Sequence, residues 1–433
     1  MDAVRALGRT IRESLFLIPL VIIVLCGGLA FITVYLDRDL GSEITRFPLM
    51  VWSTVSGART TVTAVAGATI TVAAIVFSIT SLSTQIAASQ YSPRAVKGFF
   101  EDRFQQFVIG FTIGTFTFCL FVLAGLGTLE TQVGGQIASL SVTFSILMGV
   151  FSVIAIVAYI DHSLRRMHID SVIRGIAEQT LDTIRRDRRH SDMRKNEPRG
   201  GMPEGESRSV SAKRSGFVLE IDAERIAEVL PREANARVEV RRGEAVSSGD
   251  RLITIWTDSE PSDELARQIR SAVTMRRDRS IDADPYFGMR LLVDIALKAL
   301  SPGINDPTTA VDVLHQLKLP LRELLTRDQP NRVRIGPDQQ RVFLAADPSM
   351  SDLVHASFAE IRIAGSGQVS VISTLLEVLG DLIIELEDAG MEARTGALKK
   401  EAALAIAAME GSGLPPEDIE RALVSAKRLQ ERD

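Results

Sequence analysis

The stretch VTAVAGATITVAAIVFSITSLSTQIAASQYSPRAVKGFFEDR, Val62 to Arg103, decides the fold. From Val62 to Ile86 it is long enough to cross a bilayer core of about 30 Å at about 1.5 Å per helical residue. Its first fully charged residue is Arg94. Wound as a helix, it brings Thr63, Gly67, Thr71, Ala74, Ser78, Ser81 and Gln85 onto one face at three- and four-residue steps. That face is small and polar, whereas Ile70, Val72, Ile75, Val76, Ile79 and Leu82 spread over the remaining surface. Two readings follow. Small residues let helices approach closely, with hydroxyls bonding back to the i−4 carbonyl. Alternatively the face lines an aqueous or ion path. The second reading makes Thr63, Thr71, Ser78, Ser81 and Gln85 candidate path-lining residues, with Arg94 and Lys97 at a candidate cytoplasmic mouth.

Working outward, a chain of 433 residues with 46% hydrophobic content is too long for one domain and too apolar to be wholly soluble. A net charge of −5 averages over a basic centre and a more acidic C-terminal half, and nothing in it points to nucleic acid. Cys26 and Cys119 both lie in apolar runs and form neither a disulfide framework nor a zinc spacing. The histidines His162, His168, His190, His315 and His355 form no HExxH-like cluster, so no metal or other cofactor is expected.

Before the deciding stretch, Arg5, Arg9 and Arg12 precede an apolar run from Leu15 to Leu36. This run exceeds a signal-peptide core and lacks a small-x-small cleavage site before Asp37, so it reads as a retained first span. Asp37 to Thr61, with Trp52, suits an extracytoplasmic loop. After it, Phe107 to Leu129 forms a third run containing Gly110-x-x-x-Gly114, and Ile137 to Ile160 a fourth, with Ser141, Ser145, Gly149 and Ser152 on one face. Basic residues precede the first span, follow the second and follow the fourth, while the loop after the first is of mixed charge, which places both termini in the cytoplasm.

From Asp161 the apolar pattern continues as an amphipathic helix, so residues 1–185 read as a four-span domain with a helical extension. Residues 186–215, rich in Arg, Ser, Gly and Glu, read as a flexible basic linker. Residues 216–258 alternate as strands around a short helix at Asp222 to Val229, and resemble a small barrel-sandwich module of the biotinyl and lipoyl carrier type, without the lysine such carriers modify. Residues 259–433 read as mainly helical. In them the turn Ser301-Pro302-Gly303-Ile304-Asn305-Asp306-Pro307 breaks one helix and caps the next, with Asp306 as N-cap and Pro307 at the first position. Asn305 and Asp306 are the candidate functional residues of that turn, offering oxygens to an ion, a water or a partner. Glu377, Asp381 and Glu385 recur at four-residue steps on one helix side, which suits a solvated face and argues against a fifth span.

At Ser81 to Val96, SLSTQIAASQYSPRAV, and at Leu300 to Ala310, LSPGINDPTTA, the chain resembles the bacterial predicted-membrane-protein family called domain of unknown function twenty-two fifty-four. The resemblance implies four spans followed by a soluble half, and brings no activity, substrate or catalytic residue. The expectation is thus an α-helical membrane protein: four transmembrane helices, then a cytoplasmic α+β region with a small β-barrel-like module and a helical C-terminal part. Its function is read as an oligomeric inner-membrane channel or transport-like protein, with the bilayer, further copies of itself and a small ion as partners. The alternative is a membrane-anchored scaffold or sensor for a cytoplasmic partner. No nucleophile, base and orienting group can be assembled, so no enzyme is expected.

Overall fold

The computed structural model describes residues 17–39, 52–90, 103–129, 137–138, 140–166, 168–192, 205–232, 234–257, 260–327 and 332–430. The chain divides into two compact units, Met1–His168 and Ile169–Asp433.

The first unit holds α1 (Leu17–Asp39), α2 (Val55–Gln90), α3 (Arg103–Leu129) and α4 (Leu140–Arg166). Each is long and apolar enough to cross a membrane. Short strands β1 (Trp52–Ser53) and β2 (Ile137–Ala138) pair antiparallel, so the α1–α2 and α3–α4 connections meet at one end of the bundle. The Gly110 and Gly114 pair is a site of close contact with α1. A Cβ at Gly110 would lie 2.6 Å from the Pro19 Cα, and one at Gly114 would lie 2.8 Å from the Cys26 Sγ. Bare glycine backbone is therefore what lets α1 and α3 touch. Phe118, Cys119, Val122, Ala58 and Val62 fill the core beside them, and both cysteines are buried free thiols. Buried hydroxyls return to their own helix: Thr112 donates to the Val108 carbonyl at 2.7 Å and Ser145 to that of Ser141 at 2.9 Å.

The second unit begins with α5 (Ile169–Asp192), which buries Ile173, Ile176, Ala177 and Ile184. It packs on α8 (Pro285–Ala299) and α9 (Pro307–Thr326). The expected boundary at residue 185 therefore moves to Ile169, because the apolar stripe of the extension is spent on the second unit's own core. The expected linker is also revised. Within 186–215, α5 continues to Asp192 and Ser207–Ser211 form strand β3. That strand buries only Val210, which is why its composition reads as linker.

Strands β4 (Gly216–Ile221), β5 (Asn235–Val238), β6 (Ala245–Val246), β7 (Arg251–Trp256), β8 (Val273–Arg276), β9 (Val333–Ile335) and β10 (Arg341–Phe343) join β3 in two open sheets. One has the order β3-β7-β5-β10-β9 and the other β6-β4-β8. The barrel expected over residues 216–258 is thus not closed, since its sheet is completed from outside that range. β10 pairs parallel to β5, with Val342 opposite Ala236. Between the strands lie α6 (Ala223–Val229), capped by Asp222, and α7 (Asp263–Ala272), capped by Ser262. The region from 259 on, read as mainly helical, departs from that here: α7 ends at Ala272 and the chain runs directly into β8. Ile226, Leu252, Ile253, Ile255, Ile269 and Val342 form the common core.

The remainder is helical: α10 (Met350–Ala364), opened by a capping box between Ser349 and Asp352, α11 (Val369–Asp388), a 3₁₀ turn at Glu392–Arg394, α12 (Gly396–Glu410) and α13 (Pro416–Gln430).

Candidate functional site

On α2 the candidate residues Thr63, Thr71, Ser78, Ser81 and Gln85 are all exposed, together with Gly67 and Ala74 between them. The face that α2 buries is a different one, made of Ala58, Val62, Ala66, Thr69 and Val76. The polar stripe is therefore turned away from the other three helices of its own unit. Thr71 donates to the Gly67 carbonyl at 2.9 Å, so part of the stripe satisfies its hydroxyls locally. Arg94 and Lys97, the candidate mouth, lie outside the described residues.

A second line of hydroxyls runs through the interior. Ser141, Ser145, Ser152 and Tyr159 lie on one face of α4 and are all buried. Ser152 donates to Thr115 at 3.3 Å, and the Tyr159 hydroxyl lies 2.6 Å from that of Thr80. Near the end of the helix, Ser83 and Ser163 are 3.4 Å apart. The serines of α4 share a face legible from spacing alone, but the cross-helix partners, Thr115 for Ser152 and Thr80 for Tyr159, were not, because inter-helix contact depends on how each helix is rotated.

At the turn before α9, Asp306 caps the helix: its carboxylate accepts the Thr309 N–H at 3.2 Å and the Thr309 hydroxyl at 2.6 Å. Asn305 takes the left-handed conformation, φ 50°, and its side-chain oxygen accepts from Gln368 at 3.3 Å. Gly303, the residue most suited to that conformation, does not adopt it. The backbone reading of the turn is thereby filled in atom by atom, and the side-chain oxygens of both candidate residues are engaged within the protein.

Two of the three carboxylates in the row on α11 are ion-paired rather than simply solvated. Lys318 on α9 reaches Asp381 at 2.7 Å and Glu385 at 3.5 Å, while Glu377 is exposed. Among the described residues no group of three His, Cys, Asp or Glu side chains is placed to hold a metal ion.

A charged knot gathers where the second unit's strands and helices meet. Arg242 forms a two-pronged pair with Asp187 of α5, at 3.0 and 2.7 Å. Beside it, burial first and the Asp347 carboxylate second push the Tyr286 phenol well above its ordinary range. On α9, burial followed by the Asp170 carboxylate raises the Asp312 pKa, with Asp306 adding to it and His315 opposing.

Four helices of spanning length, joined to a larger α/β unit, define a predicted polytopic membrane protein. The chain belongs to the predicted membrane protein family DUF2254, whose sequence profile matches residues 12–381. It is also similar to an uncharacterized protein of Mycobacterium bovis and to one of Mycobacterium tuberculosis. Each is 29% identical over 390 residues, covering 88% of this chain and 74% of the relative. No solved structure matches it.

Proposed function

We propose that this protein is a channel or transport-like protein of the bacterial inner membrane, with both termini cytoplasmic, and that several copies surround a path lined by Thr63, Thr71, Ser78, Ser81 and Gln85. The observation that carries the reading is the exposure of all five residues on one face of α2. A lone four-helix unit leaves that face to lipid, where hydroxyls gain little. Around an axis between copies, the same face meets water or another small-residue surface. The second unit serves as the regulatory part, and the reading contains no enzymatic step. From Thr63 to Gln85 the stripe carries neutral groups and no acidic or basic residue, which makes discrimination between ions along that stretch modest.

The test combines native mass and ion flux in liposomes on wild type and on Ser78→Leu and Ser81→Leu. Leucine suits a membrane helix, so the variants are expected to insert and assemble while losing flux. Variants that fail to assemble, from a wild type that carries no flux, point instead to a packing face. A wild type that is strictly monomeric and silent defeats the channel reading in favour of a membrane-anchored scaffold or sensor.

A further inference from the structure

Independently of the channel reading, one edge of the second unit carries an unusual concentration of positive charge. β8 is the terminal strand of the three-stranded sheet β6-β4-β8. Its residues alternate, with Val273 and Met275 buried and Thr274 and Arg276 exposed. The segment before β4 is pressed onto the end of this strand. The Arg214 guanidinium donates to the Met275 carbonyl at 3.4 Å, and a Cβ at Gly216 would stand 2.6 Å from the Arg276 carbonyl oxygen. The register, Phe217 opposite Arg276, completes the placement. Lys213, Arg214, Arg276 and Arg277, all exposed, therefore gather at one end of the strand from two distant parts of the sequence. Asp278 is the one acidic residue within 213–217 and 273–278, and the exposed Glu220 lies opposite Thr274, toward the other end of the strand. The nearby Asp250 uses its carboxylate to accept the Ser247 N–H at 2.7 Å.

A terminal strand offers N–H and C=O groups to another extended chain, and cations beside it commonly guard against unselective pairing. Guarding by one sign of charge is also a filter, because an acidic segment is attracted where neutral or basic ones gain nothing. We infer that the β8 edge is a docking strand for an extended acidic segment of a partner protein, with main-chain pairing to the Val273 carbonyl and the Met275 N–H, since the Val273 N–H already bonds Arg270 and the Met275 carbonyl Arg214, and with carboxylates set against Lys213, Arg214 and Arg277. Added strands draw affinity from backbone bonds and selectivity from flanking side chains, which is the division of labour this edge provides.

The full chain in detergent is titrated with two fluorescein-labelled peptides of equal charge, one alternating glutamate with valine, the other glutamate with proline. Proline has no N–H and cannot extend a sheet. Saturable, salt-sensitive binding of the valine peptide is expected, with the proline peptide about tenfold or more weaker. The Lys213→Glu/Arg277→Glu double variant is expected to weaken the valine peptide by a similar factor, its thermal unfolding serving as the control for folding. Equal affinity for the two peptides overturns strand addition, and it does so on the wild type without any variant. The absence of saturable binding, or tighter binding to a short single-stranded oligonucleotide than to the valine peptide, also overturns the proposal.

Discussion

Asp37, at the end of α1, caps the start of α4 from across the bundle: its carboxylate accepts the backbone N–H of Leu140 at 2.7 Å and that of Ser141 at 3.0 Å. The first N–H groups of a helix have no partner within it, and a carboxylate there also faces the positive end of the helix dipole. Asp37→Ala is expected to cost about 1–2 kcal/mol, and Asp37→Asn less. Thermal unfolding in detergent checks this, and an alanine variant as stable as wild type would show that water takes over the cap.

The cap at Asp306 is local, and Asp306→Ala is expected to cost on the order of 1 kcal/mol. Unfolding curves measure it. A variant with unchanged stability that nonetheless loses flux or partner binding would move Asp306 from a capping to a ligand role.

Arg362 and Glu401 form an ion pair of 2.8 Å between α10 and α12, with side-chain exposures of 12% and 4%. Removing one partner leaves a buried charge alone, so Arg362→Met or Glu401→Leu is expected to cost about 3–5 kcal/mol. The double replacement should recover most of that loss. A double-mutant cycle tests the difference, and simple additivity of the two losses would count against a coupled pair.

Asp312 gives the pH dependence a sign. Its folded-state pKa lies above the ordinary 3.8, so the folded state holds this proton more tightly than the unfolded chain does. The ionised carboxylate therefore weighs against folding at neutral pH, and relief comes as the pH falls through the raised value toward 3.8. Asp312→Asn is expected to raise the unfolding temperature near neutrality, with the gain shrinking toward acid. An equal gain at every pH would assign the effect to packing instead.

The four long apolar helices and the polar stripe of α2 were legible because hydropathy and a 3.6-residue period are local properties. The α4 serines were legible for the same reason. What escaped depends on distant partners. β3 commits one buried residue, Val210, to its sheet, which is too few for alternation to register. β8 follows α7 without an intervening turn, so its short alternating pattern merges with the helix before it. The row of Glu377, Asp381 and Glu385 shows spacing but not the Lys318 that meets two of its members. Similarly, the stripe on α2 declares its composition in sequence, while the side of the bundle it occupies is set by which other face is buried.

The parallel pairing of β5 with β10 imposes an order in time. When Ala236 is joined to the growing chain, the strand that flanks it on one side, around Val342, is still about a hundred residues from being made. β3, β7 and β5 can pair early, but β5 keeps an open, hydrogen-bonding edge until α8, α9 and the return strand have been synthesised. The four long apolar helices are complete by Arg166, well before that. Newly made chains thus pass through a stage in which the first unit is finished and the sheet is a waiting template. During that interval, crowded nascent copies are exposed to pairing with one another, and a chaperone at the exit site has an identifiable strand to shield.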